Sequence, residues 1–254
     1  MNDYTSIKDF REKNKKTYQY VFDYFSSQIL SGKLKINDKI PTEREIAEKL
    51  NVSRNSIREV MHMLEINGLL ECRQGSGNYI RCEPQDYMVK FINMVMSLQN
   101  INYTEVYDIR MGYETVALRL AIKEATDEEI GQIHQTLLKM DEIEDPVESA
   151  KLDIEFHNLL IGASHNRLIV LYTSMIGELM NRFIKDFRAR ILADKKRAQA
   201  LSRSHWNIYD ALVSKDFVAG SFAMQRHFEV VGEEIEKMES SMQGERKEGR
   251  QDDY

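Results

Sequence analysis

The sequence predicts a mainly α protein, with an N-terminal winged helix-turn-helix domain followed by a C-terminal all-α helical bundle. Three observations carry that expectation. Two short capped helices and a glycine-tipped strand pair crowd into the stretch between Thr42 and Arg81. From Asp86 onward the chain has one proline, Pro146, and long runs of 3.6-residue periodicity. The charge is also unevenly divided: residues 1–82 hold 14 Lys and Arg against 11 Asp and Glu, a net of +3, while the remainder holds 21 against 30, a net of −9. The overall −6 therefore conceals a first part fit to face phosphates. A length of 254 residues exceeds one typical domain, and 42% hydrophobic content fills ordinary cores.

Taken in order, Thr42 caps a helix and Glu45, three residues on, closes a capping box, which predicts a helix over Glu43–Leu50. Asn51 and Val52 make the turn. Ser53 caps a second helix that runs to about Asn67 and stops at Gly68. Two strand-like runs, Leu69–Arg73 and Asn78–Arg81, then flank the tip Gln74-Gly75-Ser76-Gly77 and read as a wing. At about 100° per residue from Arg54, the apolar Ile57, Val60 and Leu64 fall near 300°, 240° and 280°, whereas Arg58 and Asn55 fall near 40° and 100°. Arg54 and Arg58 thus project together from the first turns of the helix, the placement by which recognition helices present guanidinium groups to guanine edges.

Residues 83–86, with Pro84, read as a linker between a DNA-binding domain over 1–82 and a helical domain over 87–240. Helices are expected near 87–99, 104–124, 127–143, 147–164, 167–192, 195–214 and 216–239, broken at Thr126-Asp127, Asp145-Pro146 and Ser214-Lys215-Asp216. Residues 241–254 are polar and patternless and read as a disordered tail. No run of eighteen apolar residues and no charged-then-apolar leader is present, so a cytoplasmic protein without a membrane partner is expected. In that reducing compartment Cys72 and Cys82, on opposite wing strands, are expected to stay unbridged.

The histidines of the helical domain carry the chemistry. Asp153 and His157 are four residues apart and share a helix face. If the last two helices form an antiparallel hairpin about Lys215-Asp216, His205 and His227 each lie eleven residues from the turn, at about 16 Å from it. Three imidazoles and a carboxylate would make an N/O set suited to a divalent transition metal, Zn, Ni or Mn, with positions open to ligand oxygen. His62, His134 and His165 have no such partners, and Lys195-Lys196-Arg197 and Glu233-Glu234 read as solvated faces.

The motif Pro41-Thr42-Glu43-Arg44-Glu45-Ile46, the run Ser53-Arg54-Asn55-Ser56-Ile57-Arg58 and the tip Gly75-Ser76-Gly77 resemble the GntR family of bacterial transcription regulators over about residues 14–82. The resemblance implies phosphate and base contacts from Arg44, Arg54 and Arg58, support from Ser53, Asn55 and Ser56, and a tip at Gly75 that enters a minor groove. Ile36-Asn37-Asp38 departs from the family's Pro-Gly-Asp, in a turn away from the DNA face. Asp153, His157, His205 and His227 are similarly spaced to the metal set of the FadR-like branch, whose all-helical effector domain is of the FCD type. That likeness implies a metal at the floor of a pocket for a small carboxylate or sugar-acid effector, and argues against a fatty-acyl one. Arg110, in the helix Tyr107-Asp108-Ile109-Arg110-Met111-Gly112-Tyr113-Glu114, is then the candidate grip on an effector carboxylate, or else an ion pair with Glu114. Asn166 matches a family asparagine with a polar role in the pocket.

The expected protein is a ligand-responsive, metal-assisted transcription regulator, a homodimer on a palindromic double-stranded DNA operator. Two alternatives stay open: a DNA-tethered metalloenzyme, for which no general-base signature such as His-Glu-x-x-His is present, and a constitutive DNA-binding protein with a structural metal.

Overall fold

The computed structural model describes the backbone of residues 3–83 and 86–248, and the side chains of 17–83, 89–177 and 179–238. It divides into two compact units, residues 1–91 and 92–254.

The first unit contains α1 (Asp3–Leu30), α2 (Glu43–Leu50), α3 (Arg54–Ile66), β1 (Leu70–Arg73) and β2 (Gly77–Ile80). The caps are those the sequence predicts. Glu45 N donates to Thr42 Oγ1 and Thr42 N to Glu45 Oε2, Asn51 closes α2 in the left-handed region, and Ser53 Oγ accepts from Ser56 N. Gly68, at φ 69°, reverses the chain after α3. The wing is an antiparallel pair in the register Leu70↔Ile80, Glu71↔Tyr79, Cys72↔Asn78, Arg73↔Gly77, with Gly75 and Gly77 at positive φ around the tip. Cys72 thus stands opposite Asn78 and Cys82 lies past the end of β2; both are free and exposed.

Ile46 of α2, Ile57, Val60 and Leu64 of α3, and Leu70 and Ile80 of the wing close one core with Val21 and Phe25 of α1. α1 is not among the expected helices, yet its sequence carries a helical stripe: Tyr18, Val21, Phe22, Phe25 and Ile29 fall on one face at helical spacing. Of its described side chains Val21 and Phe25 are fully buried, one turn apart, and Tyr18, Phe22 and Ile29 pack partly buried on the same core. Complete burial of Phe25 still contributes about 2–3 kcal/mol.

The chain continues through α4 (Asp86–Leu98), α5 (Tyr103–Glu124), α6 (Asp127–Glu142), α7 (Pro146–Gly162), α8 (Arg167–Leu192), α9 (Lys195–Ser214) and α10 (Phe217–Glu248). Capping boxes at Asn102 and Thr126 and the Asp145-Pro146 start place the helices within two residues of expectation. Residues 84 and 85 of the expected linker lie outside the described residues. The expected tail requires correction: α10 continues to Glu248, because Glu236 to Glu248 lack any helix breaker except Gly244, and residues 249–254 lie outside the described residues.

The helical unit has two apolar layers. One holds Leu118, Phe156, Leu160, Ile208, Met224 and Phe228; the other holds Val106, Ala150, Phe183, Phe187, Leu201 and Val231. Four helices supply both layers, and on each the turn between is polar: Arg110 and Glu114 on α5, Asp153 and His157 on α7, Ser204 and His205 on α9, His227 on α10. A buried polar layer therefore crosses the bundle between two oily ones. Lys215, left-handed at φ 57°, reverses the chain so that α9 and α10 pack antiparallel, and Gly220 allows close approach: a Cβ there would meet Leu118 Cδ2 at 3.0 Å and Ala211 Cβ at 3.2 Å.

Candidate functional site

On the DNA-binding unit, Arg44, Arg54, Asn55, Arg58 and the tip at Gly75 are exposed, as a nucleic-acid face requires. Ser53 and Ser56 serve the cap of α3, their hydroxyls 2.9 Å apart. Asn55 Nδ2 donates to Glu59 Oε1 at 2.8 Å, and Arg44 lies 3.8 Å from Glu48. Glu43, which the sequence singles out only as part of a motif, is the organising neighbour. Its carboxylate accepts from Arg58 Nε and Nη2 at 3.2 and 3.1 Å, and Arg54 Nη2 stands 3.9 Å away. The bidentate contact fixes the guanidinium plane of Arg58 on the same face as Arg54. At the wing, the Arg73 guanidinium stacks on the Tyr79 ring at 4.3 Å, and the hydroxyls of Tyr79 and Ser76 are 2.7 Å apart.

In the helical unit, His157, His205 and His227 are buried and each offers a ring nitrogen, all within 4.8 Å of one another. Nitrogens on one tetrahedral ion at the usual bond length stand roughly 3.4 Å apart, so modest ring rotations would close the set. The outer nitrogens are already engaged. His157 Nδ1 donates to Glu114 Oε2 at 2.6 Å, and Arg110 Nε donates to Glu114 Oε1 at 2.6 Å. The Ser204 hydroxyl donates to the Leu201 carbonyl, leaving its oxygen to accept from His227 Nδ1 at 3.1 Å. Those bonds leave the Nε2 atoms of His157 and His227 buried without a partner, and both ring nitrogens of His205 are likewise unbonded. Orphaned buried nitrogens cost free energy unless something ligates them, so the donor set fits a metal.

Asp153 is less simply placed than its spacing implies. Its Oδ1 accepts from Arg188 Nη1 and lies 3.3 Å from His205 Nε2, out of hydrogen-bond alignment, and Oδ2 lies 3.7 Å from His157 Nε2. Arg188, on α8, also donates from Nε to Ser149 Oγ at 3.1 Å. Burial would raise the Asp153 carboxyl, but the Arg188 guanidinium and the neighbouring imidazoles overcome it and hold it well below the usual carboxylate range. Burial pushes His205 down to about 4 and His227 well below the ordinary imidazole range, which leaves both neutral near pH 7, the form that ligates metals.

A cavity of about 310 Å³ opens beside this cluster between α5, α7 and α8. Arg110 and Glu114 form its charged end beside His157; Ile154, Ile161, Val170 and Ile184 form its apolar wall, and Asn158, Thr173 and Asn181 its neutral polar groups. Arg110, which lines a smaller space as well, has its Nη2 buried without a hydrogen-bond partner. Asp153, His227 and Arg188 line that neighbouring space of about 10 Å³, with Arg110 and Ile184 shared between the two. Asn166 does not line the cavity, contrary to expectation: it is the N-cap of α8, its Oδ1 accepting from Leu168 N and Ile169 N at 3.1 Å. Its amide oxygen is thus spent on two orphan helix donors, and only the Nδ2 donors are left over. Asn158 lies one turn after Ile154 on α7, and that spacing is the one sequence signal that could have found it. Arg188 and Ser204 carry no such signal.

Residues 17–80 match the model for bacterial regulatory proteins of the gntR family, and residues 105–230 match that of the FCD domain. The chain belongs to the GntR family. Its winged unit is the GntR module and its helical unit the FCD module. Among curated GntR relatives, the HTH-type transcriptional regulator LutR of Bacillus subtilis is 27% identical over 201 residues, 78% of this chain and 92% of that protein. The Uxu operon regulator of Haemophilus influenzae is 27% identical over 219 residues, 85% of this chain and 80% of its own. A solved structure, Streptococcus agalactiae GntR, shares the fold at a TM-score of 0.60 and 24% identity, covering 84% of this chain and 98% of that one. The protein is accordingly a GntR transcription regulator of the FCD type and not an enzyme. Among the described residues no helix is long and apolar enough to cross a membrane.

Proposed function

We propose that this regulator is metal-assisted and effector-responsive: His157, His205 and His227, with Asp153, hold a divalent transition metal (Zn, Ni or Mn), and the adjoining cavity takes a small carboxylate or sugar acid. One observation carries the reading. Buried imidazole nitrogens without partners converge beside a cavity lined by Arg110, an arginine that itself has an unpartnered buried nitrogen. A metal supplies a Lewis-acidic point for ligand oxygen, and the free edge of Arg110 suits a carboxylate. Charge balance supports the same ligand class. The polar layer contains two arginines, Arg110 and Arg188, and two carboxylates, Glu114 and Asp153, so a dication added among neutral imidazoles leaves an excess that an anion relieves.

Arg110 and Glu114 give the effector a route to the rest of the bundle. A ligand that reorients Arg110 acts on Glu114, and Glu114 holds His157 on another helix. The change would alter the population of dimer arrangements that fit two operator half-sites, in a cytoplasmic homodimer on a palindromic operator. Sedimentation of the full chain tests the dimer, and a monomer at micromolar concentration contradicts it. Thermal melts with candidate sugar acids and hydroxy acids, with and without chelator, test the effector. A metal-dependent rise in Tm without turnover is expected; a structural metal alone predicts no rise with any of them.

A further inference from the structure

Arg188 enters the reading so far only as one charge of the polar layer, yet it bonds directly to Asp153 of the proposed metal set. It is 5% exposed, on α8, and its guanidinium spans one turn of α7, with Nε on Ser149 Oγ and Nη1 on Asp153 Oδ1. The same Asp153 oxygen lies 3.3 Å from His205 Nε2, so the arginine and the imidazole cluster share one carboxylate atom. Arg188 lines the small space with Asp153 and His227 and is not among the residues that line the larger cavity, so it is not placed to hold an effector there. The other carboxylate of the layer, Glu114, has its own cation in Arg110.

We propose that Arg188 is a built-in substitute cation, which neutralises Asp153 when no ion is held and competes with the metal for that carboxylate when one binds. This rests on the metal reading above. Two opposed effects decide what removing Arg188 does. As a hydrogen-bond donor to a ligating carboxylate it would orient Asp153, and losing such a group typically weakens metal binding about 10- to 100-fold. As a fixed positive charge beside the same oxygen it repels an arriving dication, and in a buried layer such repulsion is poorly screened. Asp153 already sits on α7 beside His157 by helix geometry, so little orientation is lost, and the charge effect dominates. Metal affinity is thereby set lower than the donor set alone would give, and the metal-stripped bundle keeps a compensated core.

The experiment uses the full chain as wild type, Arg188→Met and Arg188→Lys, with zinc as the probe. Affinity is read by competition with a chromophoric chelator, and Tm is read with excess zinc and with excess chelator. Arg188→Met is expected to bind zinc about tenfold more tightly or better, and to show a wider gap between the two melting temperatures, because only the metal then balances Asp153. Arg188→Lys keeps the charge and is expected to stay near wild type in both. If Arg188→Met unfolds on chelation but folds with zinc, that is the widened gap at its limit and supports the proposal. Weaker zinc binding in Arg188→Met, an unchanged gap, a variant that fails to fold even with zinc, or Arg188→Lys behaving like Arg188→Met each overturns it. Wild-type protein that binds no zinc, nickel or manganese fails in a different arm: it removes the metal reading, and with it the competition, leaving Arg188 as a permanent ion-pair partner.

Discussion

Glu114 and His157, 43 positions apart in the chain and on different helices, are joined by a 2.6 Å hydrogen bond from imidazole Nδ1 to carboxylate Oε2. That bond puts the proton on Nδ1 and leaves Nε2 without a partner, with the His205 and His227 rings centred 5.7 and 5.0 Å from the His157 ring. A carboxylate behind a ligating histidine also raises its basicity. Glu114→Gln should therefore weaken metal binding by about 10- to 100-fold while the fold persists. Chelator competition measures it; unchanged affinity would mean that the contact orients nothing.

Removing an imidazole is the harsher change. His205→Ala or His227→Ala should strip the ion, lower the Tm of the helical unit and abolish the effector response, while DNA binding without effector survives on the separate core of the winged unit. Elemental analysis after dialysis without chelator decides it, since equal metal content in variant and wild type rules the site out.

At the other unit, Arg54→Ala and Arg58→Ala should each cost about 1–3 kcal/mol of specific operator binding. Arg44→Ala should instead weaken binding evenly across sequences and flatten its salt dependence, as a phosphate contact does. A competition titration in which the two recognition-helix variants keep full discrimination would refute the groove assignment.

The metal-stripped protein should lose stability as pH falls from about 6.5 toward 4. His205 is held near 4 when folded, against 6.5 for an ordinary imidazole, so across that window the unfolded chain takes up a proton that the folded chain refuses. The difference amounts to roughly 3 kcal/mol for this residue, and His227 acts in the same direction. Denaturant melts in chelator at pH 7, 5.5 and 4.5 would show it. A flat profile over that range would mean that the imidazole is not buried as described.

Much of this arrangement is local, and the local part was legible. Thr42, Glu45 and Ser53 act on residues two or three positions away, and the equal distances of His205 and His227 from the turn at Lys215-Asp216 follow from helix rise alone. What escaped is tertiary. Arg188 reaches across 35 positions to Asp153, and Glu43 across 15 to Arg58, and neither partner is marked by spacing. Asn166 misled for the opposite reason: an asparagine just ahead of a helix is first a cap, and the motif concealed that cheaper role.

The hairpin of α9 and α10 also governs how this chain can vary. Each residue added to or removed from the helices between His205 and His227 swings one imidazole by about 100° around its axis, out of the layer and into an oily neighbour. The loop from Ile143 to Asp145, by contrast, ends at a fresh cap before α7 and can absorb a change in length without moving Asp153 relative to His157. Lineages of this bundle are therefore free to lengthen some connections, while the interval across Lys215 behaves as a ruler whose length is fixed by the site it measures.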